Sequence, residues 1–370
     1  MASLHIIALF FVVFALIQII YLLTLLVAIT KYKAQPADRK VPVSVIVCGH
    51  DEHQNLQELL PLLLNQEYPD FEVVVVEDRS NDESFDFLYE VCKHHSNLRL
   101  VRVKDKPEHV NGKKVALTLG IKAARHEWVL LTDADCRPNS THWIKEMSTR
   151  FSNESEIVLG YSPYQKKSGL LNLFIRYETL LTAIQYFGMA ILGKPYMAVG
   201  RNLAYRKSLF LNNKGYSSHL SVTGGDDDLF VNQWGHKKNT TIVIGPESIV
   251  YSTPKTSWIE FYYQKLRHLS VGKRYKISDK IVSGVFMLSL VGCWLLIVPA
   301  VIYSTIFYVP IAVFLIRIIL LTLLAHKASR KLGEAFEGWK VPVLDFIFVI
   351  YYLVVGLAAL RTNQVRWKRI

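Results

Sequence analysis

Between Pro42 and Leu131 the apolar positions of this chain switch between short continuous runs and the three-to-four spacing of a helix. Val43 to Cys48 (VSVIVC), Phe71 to Val76 and Leu98 to Val103 have the length and composition of strands buried on both faces, and Trp128 to Leu131 is a fourth. Leu56, Leu59, Leu60 and Leu63 recur as on one helix face; Phe85 to Val91 repeats in the same way, and Lys114 to Ala124 reads as a further helix. Strand and helix in alternation predict an α/β fold with a doubly wound, mostly parallel sheet. Further on, Gly200 to Phe210 supplies a tight turn, a strand and a helix start at Ser208, and Ser257 to Tyr275 an aromatic, then basic helix. Leu170 to Leu192 is apolar but holds Arg176 and Glu178, so a helix at the membrane interface or over a crevice is expected, with core packing the alternative.

Other apolar runs are longer. Leu4 to Thr30 carries no charge apart from a possible proton on His5, and it exceeds the roughly 20 residues that span a bilayer. Ile281 to Ser304 and Ile306 to Ala325 predict two spans in a hairpin around Pro310, and Val343 to Leu360 a third. No basic region precedes the first run and no small-residue cleavage site follows it, which favours a span over a signal peptide. Lys31, Lys33, Arg39 and Lys40 come next, and HKASRKLGEAFEGWK separates the last two spans. By the positive-inside rule these put the globular part on the cytoplasmic face, as at a bacterial inner membrane. Three later spans would then carry the basic tail Arg361 to Arg369 outside, against the same rule, unless one segment does not cross. Arg317, inside the second of these later spans, marks function or else pairs with another helix. The predicted division is a membrane helix over 1–30, a cytoplasmic domain over 31–275 and membrane helices with a basic loop and tail over 276–370.

Composition agrees. With 370 residues, 51% of them hydrophobic, a mean hydropathy of +0.21 and a net charge of +12, the chain suits one globular domain plus several spans. Cys48, Cys92, Cys136 and Cys293 have neither metal-ligand spacing nor a disulfide pattern and read as buried thiols.

The candidate chemistry lies at strand ends, where an open α/β sheet binds its ligands. Asp51 and Glu52 follow the first strand, Glu77 and Asp78 the second, and Asp133 and Asp135, separated by Ala134, the fourth. Paired hard oxygen ligands suit Mg²⁺ or Mn²⁺ together with substrate phosphates. No glycine-rich phosphate loop is present, which argues against a P-loop or dinucleotide fold. Gly112, Lys113 and Lys114 open a helix where lysines would face phosphate, or solvent. In TGGDDDLF three acids follow a glycine pair; they complement a helix dipole, and one is a candidate general base. Gln264, Arg267 and His268 offer donors to phosphate oxygens or to anionic lipid heads.

Over about Val41 to Tyr275 these motifs resemble, in order, the family-two inverting glycosyltransferases with the GT-A fold, in their membrane-embedded form. The resemblance implies Glu52 and Asp78 at the nucleoside with Glu77 alongside, and Lys113 at a lysine-bearing helix start. It makes Asp133 and Asp135 the metal and diphosphate motif, the cation held chiefly by Asp135, and Asp226 the base. Gln264 and Arg267 fall in a diphosphate-binding motif. Asp51 stands where asparagine is usual, Gly225 where glutamate is, and His268 where tryptophan is expected, which counts against long-chain synthesis. The implied activity is metal-dependent inverting transfer from a UDP- or GDP-linked sugar to a lipid or lipid-linked acceptor, with no nucleic-acid partner. A processive polysaccharide synthase, a membrane-bound nucleotidyltransferase and a non-catalytic nucleotide-binding scaffold are the alternatives.

Overall fold

The computed structural model describes residues 2–33 and 40–362, with side chains from residue 6. Arg39, the His5 side chain and the basic tail beyond Thr362 lie outside the described residues. Helix α1 (Ala2–Lys31) leads into β1 (Val43–Gly49), α2 (His53–Leu64), β2 (Phe71–Asp78), α3 (Ser84–His94), β3 (Leu98–Val103), α4 (Gly112–Ala123) and β4 (Trp128–Asp133). Then follow β5 (Cys136–Pro138), α5 (Trp143–Ser148), β6 (Ile157–Leu159), α6 (Leu170–Ile191), β7 (Leu203–Arg206), α7 (Lys207–Asn212), α8 (Asp228–Trp234), β8 (Thr240–Ile242) and β9 (Val250–Ser252). The chain closes with α9 (Trp258–Gly272), α10 (Ile277–Tyr303), α11 (Tyr308–Leu332) and α12 (Val341–Arg361).

Seven strands form one sheet in the order β3-β2-β1-β4-β7-β6-β8. The first four are parallel, as predicted; β7 runs antiparallel to both β4 and β6. Alternate residues of the central strands feed two cores. Val45, Val47, Val73, Val75 and Leu130 pack with the four leucines of α2 on one face; Ile46, Val74, Val129 and Leu131 pack with Leu117 and Ile121 of α4 on the other. Both faces are therefore covered, which is why these strands read as continuous apolar runs. At Gly120 an added Cβ would lie 2.8 Å from methyl groups of both Ile46 and Val76, so glycine lets α4 settle directly on β1 and β2.

Helices α1, α10, α11 and α12 are long and apolar enough to cross a membrane. The turn between α10 and α11 precedes Pro310, which sits in the first turn of α11 and not at the bend the sequence predicts. Proline is tolerated there because first-turn N–H groups have no intrahelical acceptor. The first seven residues of the basic stretch expected as a loop continue α11 to Leu332. Arg317 is buried and paired with Asp345 of α12, whose carboxylate also accepts from Trp294 Nε1 (2.7 Å) and Tyr177 OH (3.3 Å).

Helix α6 is packed in the core, the alternative that its sequence leaves open, with 16 of its 22 residues buried. Its two charges are neutralised from distant segments. Arg176 pairs with Glu334 at 2.8 Å, and Glu178 with Lys265 of α9 at 2.5 Å while accepting from Tyr352 OH. Paired in this way, buried charges are tolerated. Both ends of α12 also meet the rest of the chain on the domain's side. Glu337, just before it, pairs with Lys166 (2.9 Å), and Lys273 Nζ donates to the Leu360 and Thr362 carbonyls, each at 2.9 Å.

Candidate active site

The carboxyl ends of β1, β2 and β4 open into one acidic crevice. After β1, Asp51 takes a left-handed backbone (φ 54°), with its N–H on Ser80 Oγ and its carboxylate accepting from the Asn81 N–H, so the β1 and β2 loops are tied together. Non-glycine residues held this way are strained and gather at functional sites. Glu52 follows at the head of α2 and accepts from Asn55 Nδ2 at 2.6 Å. Asp78 is held by Arg79 at 2.8 Å, whereas Glu77 turns away to the Ser80 N–H and Arg102. An added Cβ at Gly112 would lie 3.0 Å from Asp78 Oδ2, so glycine lets α4 begin against that carboxylate.

The first turn of α4 then carries Lys113 into the crevice. Its Nζ stands 2.9 Å from Asp133 Oδ1 and 3.3 Å from Asp226 Oδ2, joining the end of β4 to the loop before α8. Lys114 does not share this role. It is buried on the other side, where Nζ donates to the His219 and Val222 carbonyls and braces the loop that leads to Asp226.

Electrostatics sort the acids. Burial alone would raise the Asp226 carboxyl, but the Lys113 ammonium and a backbone N–H outweigh it and hold Asp226 below the usual carboxylate range. Asp227 and Asp228 move up through burial and their acidic neighbours, Asp228 strongly. Burial and the nearby Asp133 likewise raise Asp135. Cys48, in register with Asp133 on the next strand, sits beneath this group: burial pushes its thiol up, Lys113 opposes, and Asp133, Asp78 and Asp226 add to the rise.

Helix α9 closes the far wall. Gln264 Nε2 donates to Tyr164 OH at 3.0 Å. Burial lowers Arg267, against the pull of Asp226, Asp133 and Tyr164. Solvent reaches His268, yet crowding by protein and the cations Lys265 and Arg267 keep its imidazole well below its ordinary value, hence neutral. Sequence reasoning missed Arg201. It lies in the Gly200–Asn202 turn over the Tyr164 ring at 4.4 Å, and Asp135 and Asp133 help hold its guanidinium above its ordinary value despite burial. Nothing local marks it out; only the fold brings that turn to the aspartate pair.

Among the described residues no three His, Cys, Asp or Glu side chains cluster as a metal cage. Two neighbouring carboxylates, one raised by burial and by the other's charge, fit a divalent cation that completes its shell with substrate phosphates. Two cavities lie outside the crevice: one of about 540 Å³ beside Glu156, Arg206 and His236, and one of about 310 Å³ beside Lys166, Arg176 and Lys340.

The model of "Glycosyl transferase family 2" matches residues 44–212, from β1 to α7. The poly-beta-1,6-N-acetyl-D-glucosamine synthase of Staphylococcus epidermidis is 33% identical over 93 residues, 25% of this chain and 21% of that protein. The probable glycosyltransferase YdaM of Bacillus subtilis is 22% identical over 232 residues, 61% of this chain and 54% of that protein. These matches thus cover about a fifth and about half of the relatives' own lengths. The solved mannosyltransferase of Pyrobaculum calidifontis, in complex with GDP-Man and Mn²⁺, aligns over 96% of this chain and 99% of its own at 17% identity, with a TM-score of 0.63. That likeness shows a shared GT-A-type fold. Residues 44–212 of the chain thus match glycosyl transferase family 2, and four helices among the described residues are long and apolar enough to cross a membrane.

Proposed function

We propose that this protein is a metal-dependent inverting glycosyltransferase that moves a sugar from a nucleotide-diphosphate donor, UDP- or GDP-linked, to a lipid or lipid-linked acceptor. The observation that carries this reading is the Lys113 bridge, which brings Asp226 and Asp133 together and keeps Asp226 ionised. An ionised carboxylate facing an aspartate pair has the state and place of a general base in a single displacement. Glu52 and Asp78 bind the nucleoside; Gln264, Arg267 and His268 face the diphosphate. Asp226 accepts the acceptor hydroxyl's proton as that oxygen bonds to the anomeric carbon from the face opposite the diphosphate. The carbon–oxygen bond to the diphosphate breaks, and its electron pair leaves with it. Lys113 and Arg267 offset the departing charge, and neutral His268 donates a hydrogen bond. A divalent cation at Asp133 and Asp135 supplies further charge neutralisation there.

The lipid acceptor is supported by the helices that tie the domain to the bilayer. Because both ends of α12 are held on the domain's side, we place α12 along that membrane face without crossing it. Arg361, at the end of α12, then stays on the domain's cytoplasmic face, in keeping with the positive-inside rule.

Detergent-purified protein incubated with nucleotide sugars, Mn²⁺ and total lipid extract should yield a glycosylated lipid by mass and free nucleoside diphosphate. Pyrophosphate release would instead indicate a nucleotidyltransferase. Asp226→Asn should lower turnover by about 10²- to 10⁴-fold while donor binding persists. Turnover within a few fold of wild type in a folded variant would refute Asp226 as the base.

A further inference from the structure

The cavity of about 310 Å³ between α6 and the start of α12 has no part in the proposed reaction. Its wall carries Lys166, Lys167, Arg176 and Lys340, with a single acid, Glu337. Three of the cations share that acid: Lys166 at 2.9 Å, Arg176 at 3.7 Å and Lys340 at 3.9 Å. Even with Glu334 behind Arg176, four cations face two carboxylates, and Lys167 has no ion-pair partner among the described residues. The first turn of α6, which has no side-chain cap, lines the same wall and adds uncommitted N–H donors to this positive field.

Apolar surface begins at the rim. Leu170 is 54% and Trp339 78% exposed, and Val343, Phe346 and Ile350 continue an outward apolar face along α12. Lys340 lies over the Trp339 ring at 5.3 Å, an aromatic and a cation set together as at a bilayer surface. A soluble anion would satisfy the lysines and leave the apolar face bare. A phosphate that carries acyl chains satisfies both.

We propose that this cavity binds the phosphate of an anionic phospholipid whose chains lie along the outward face of α12. None of the crevice residues lines it, so the site stands or falls independently of the sugar transfer. Its test is native mass spectrometry of the full chain released from nanodiscs of equal phosphatidylglycerol and phosphatidylcholine. Wild type should retain phosphatidylglycerol preferentially, with about a fivefold loss in Lys167→Gln and a greater one in Lys166→Gln/Lys167→Gln/Lys340→Gln. Lys276→Gln/Lys280→Gln, at the head of α10, should retain it as wild type does. Lys167→Gln breaks no ion pair and keeps the test valid if the triple variant fails to fold. Equal retention of both lipids, or undiminished retention in Lys167→Gln, would overturn the site. Displacement of the lipid by glycerol 3-phosphate at equal concentration would instead assign the cavity to a free phosphate.

Discussion

Asp226, Asp227 and Asp228 are three identical side chains in a row, and their surroundings make three different groups of them. Lys113 keeps the first ionised; the second accepts from the Gly200 N–H at 2.7 Å; the third accepts from Tyr275 OH at 2.8 Å. The run of letters offered a base among three, and resemblance alone singled out Asp226. The same loop carries a pH dependence. Burial and the nearby Lys114 ammonium push His219, just ahead of the glycine pair, down to about 4 from its ordinary 6.5. Between those values the unfolded chain binds more protons than the folded one, so stability rises with pH across the window and is lost as pH falls through it. The effect is bounded at about 3 kcal/mol. Melting midpoints taken from pH 7 down to 4.5 should fall more steeply for wild type than for His219→Gln; parallel slopes would show that His219 is not the group responsible.

At the scale of elements, the strands and the sheet-covering helices were legible because their periodicity is written in neighbouring residues. What α4 does with its first turn was not legible in local periodicity; resemblance alone singled out Lys113. Lys113 and Lys114 are adjacent and alike, and helical geometry turns them about 100° apart, so one enters the crevice and the other braces the loop behind it. That placement depends on how closely α4 lies on the sheet. Gly120→Val should force it away from Ile46 and Val76, cost about 1–3 kcal/mol and weaken donor binding by moving Lys113. Gly272→Ala, where a new Cβ meets nothing within 4 Å, should leave the melting temperature nearly unchanged. If calorimetry and titration with nucleoside diphosphate find Gly120→Val equally silent, α4 is not seated as described. From its sequence α6 reads as interfacial or core for a related reason: its charges look unpaired until Glu334 and Lys265 are brought to them.

For the whole molecule, the buried Arg317–Asp345 pair joins α11 to α12, with Trp294 of α10 and Tyr177 of α6 on the same carboxylate. Arg317→Leu leaves Asp345 buried without its countercharge and should cost about 3–5 kcal/mol, whereas Arg317→Leu/Asp345→Leu should recover most of that loss. Thermal unfolding in nanodiscs would decide, and a double variant no better than the single one would mean that the pair is not a closed unit. By itself the sequence determined the strands, the long apolar helices and the acidic strand ends, because short-range periodicity and composition carry them. Only the tertiary structure decided that Lys113 bridges Asp133 and Asp226, that Arg201 faces them, that α6 is core and where the ends of α12 are held. Each of those rests on a contact between segments far apart in the chain, and no local pattern records which buried charge will meet which.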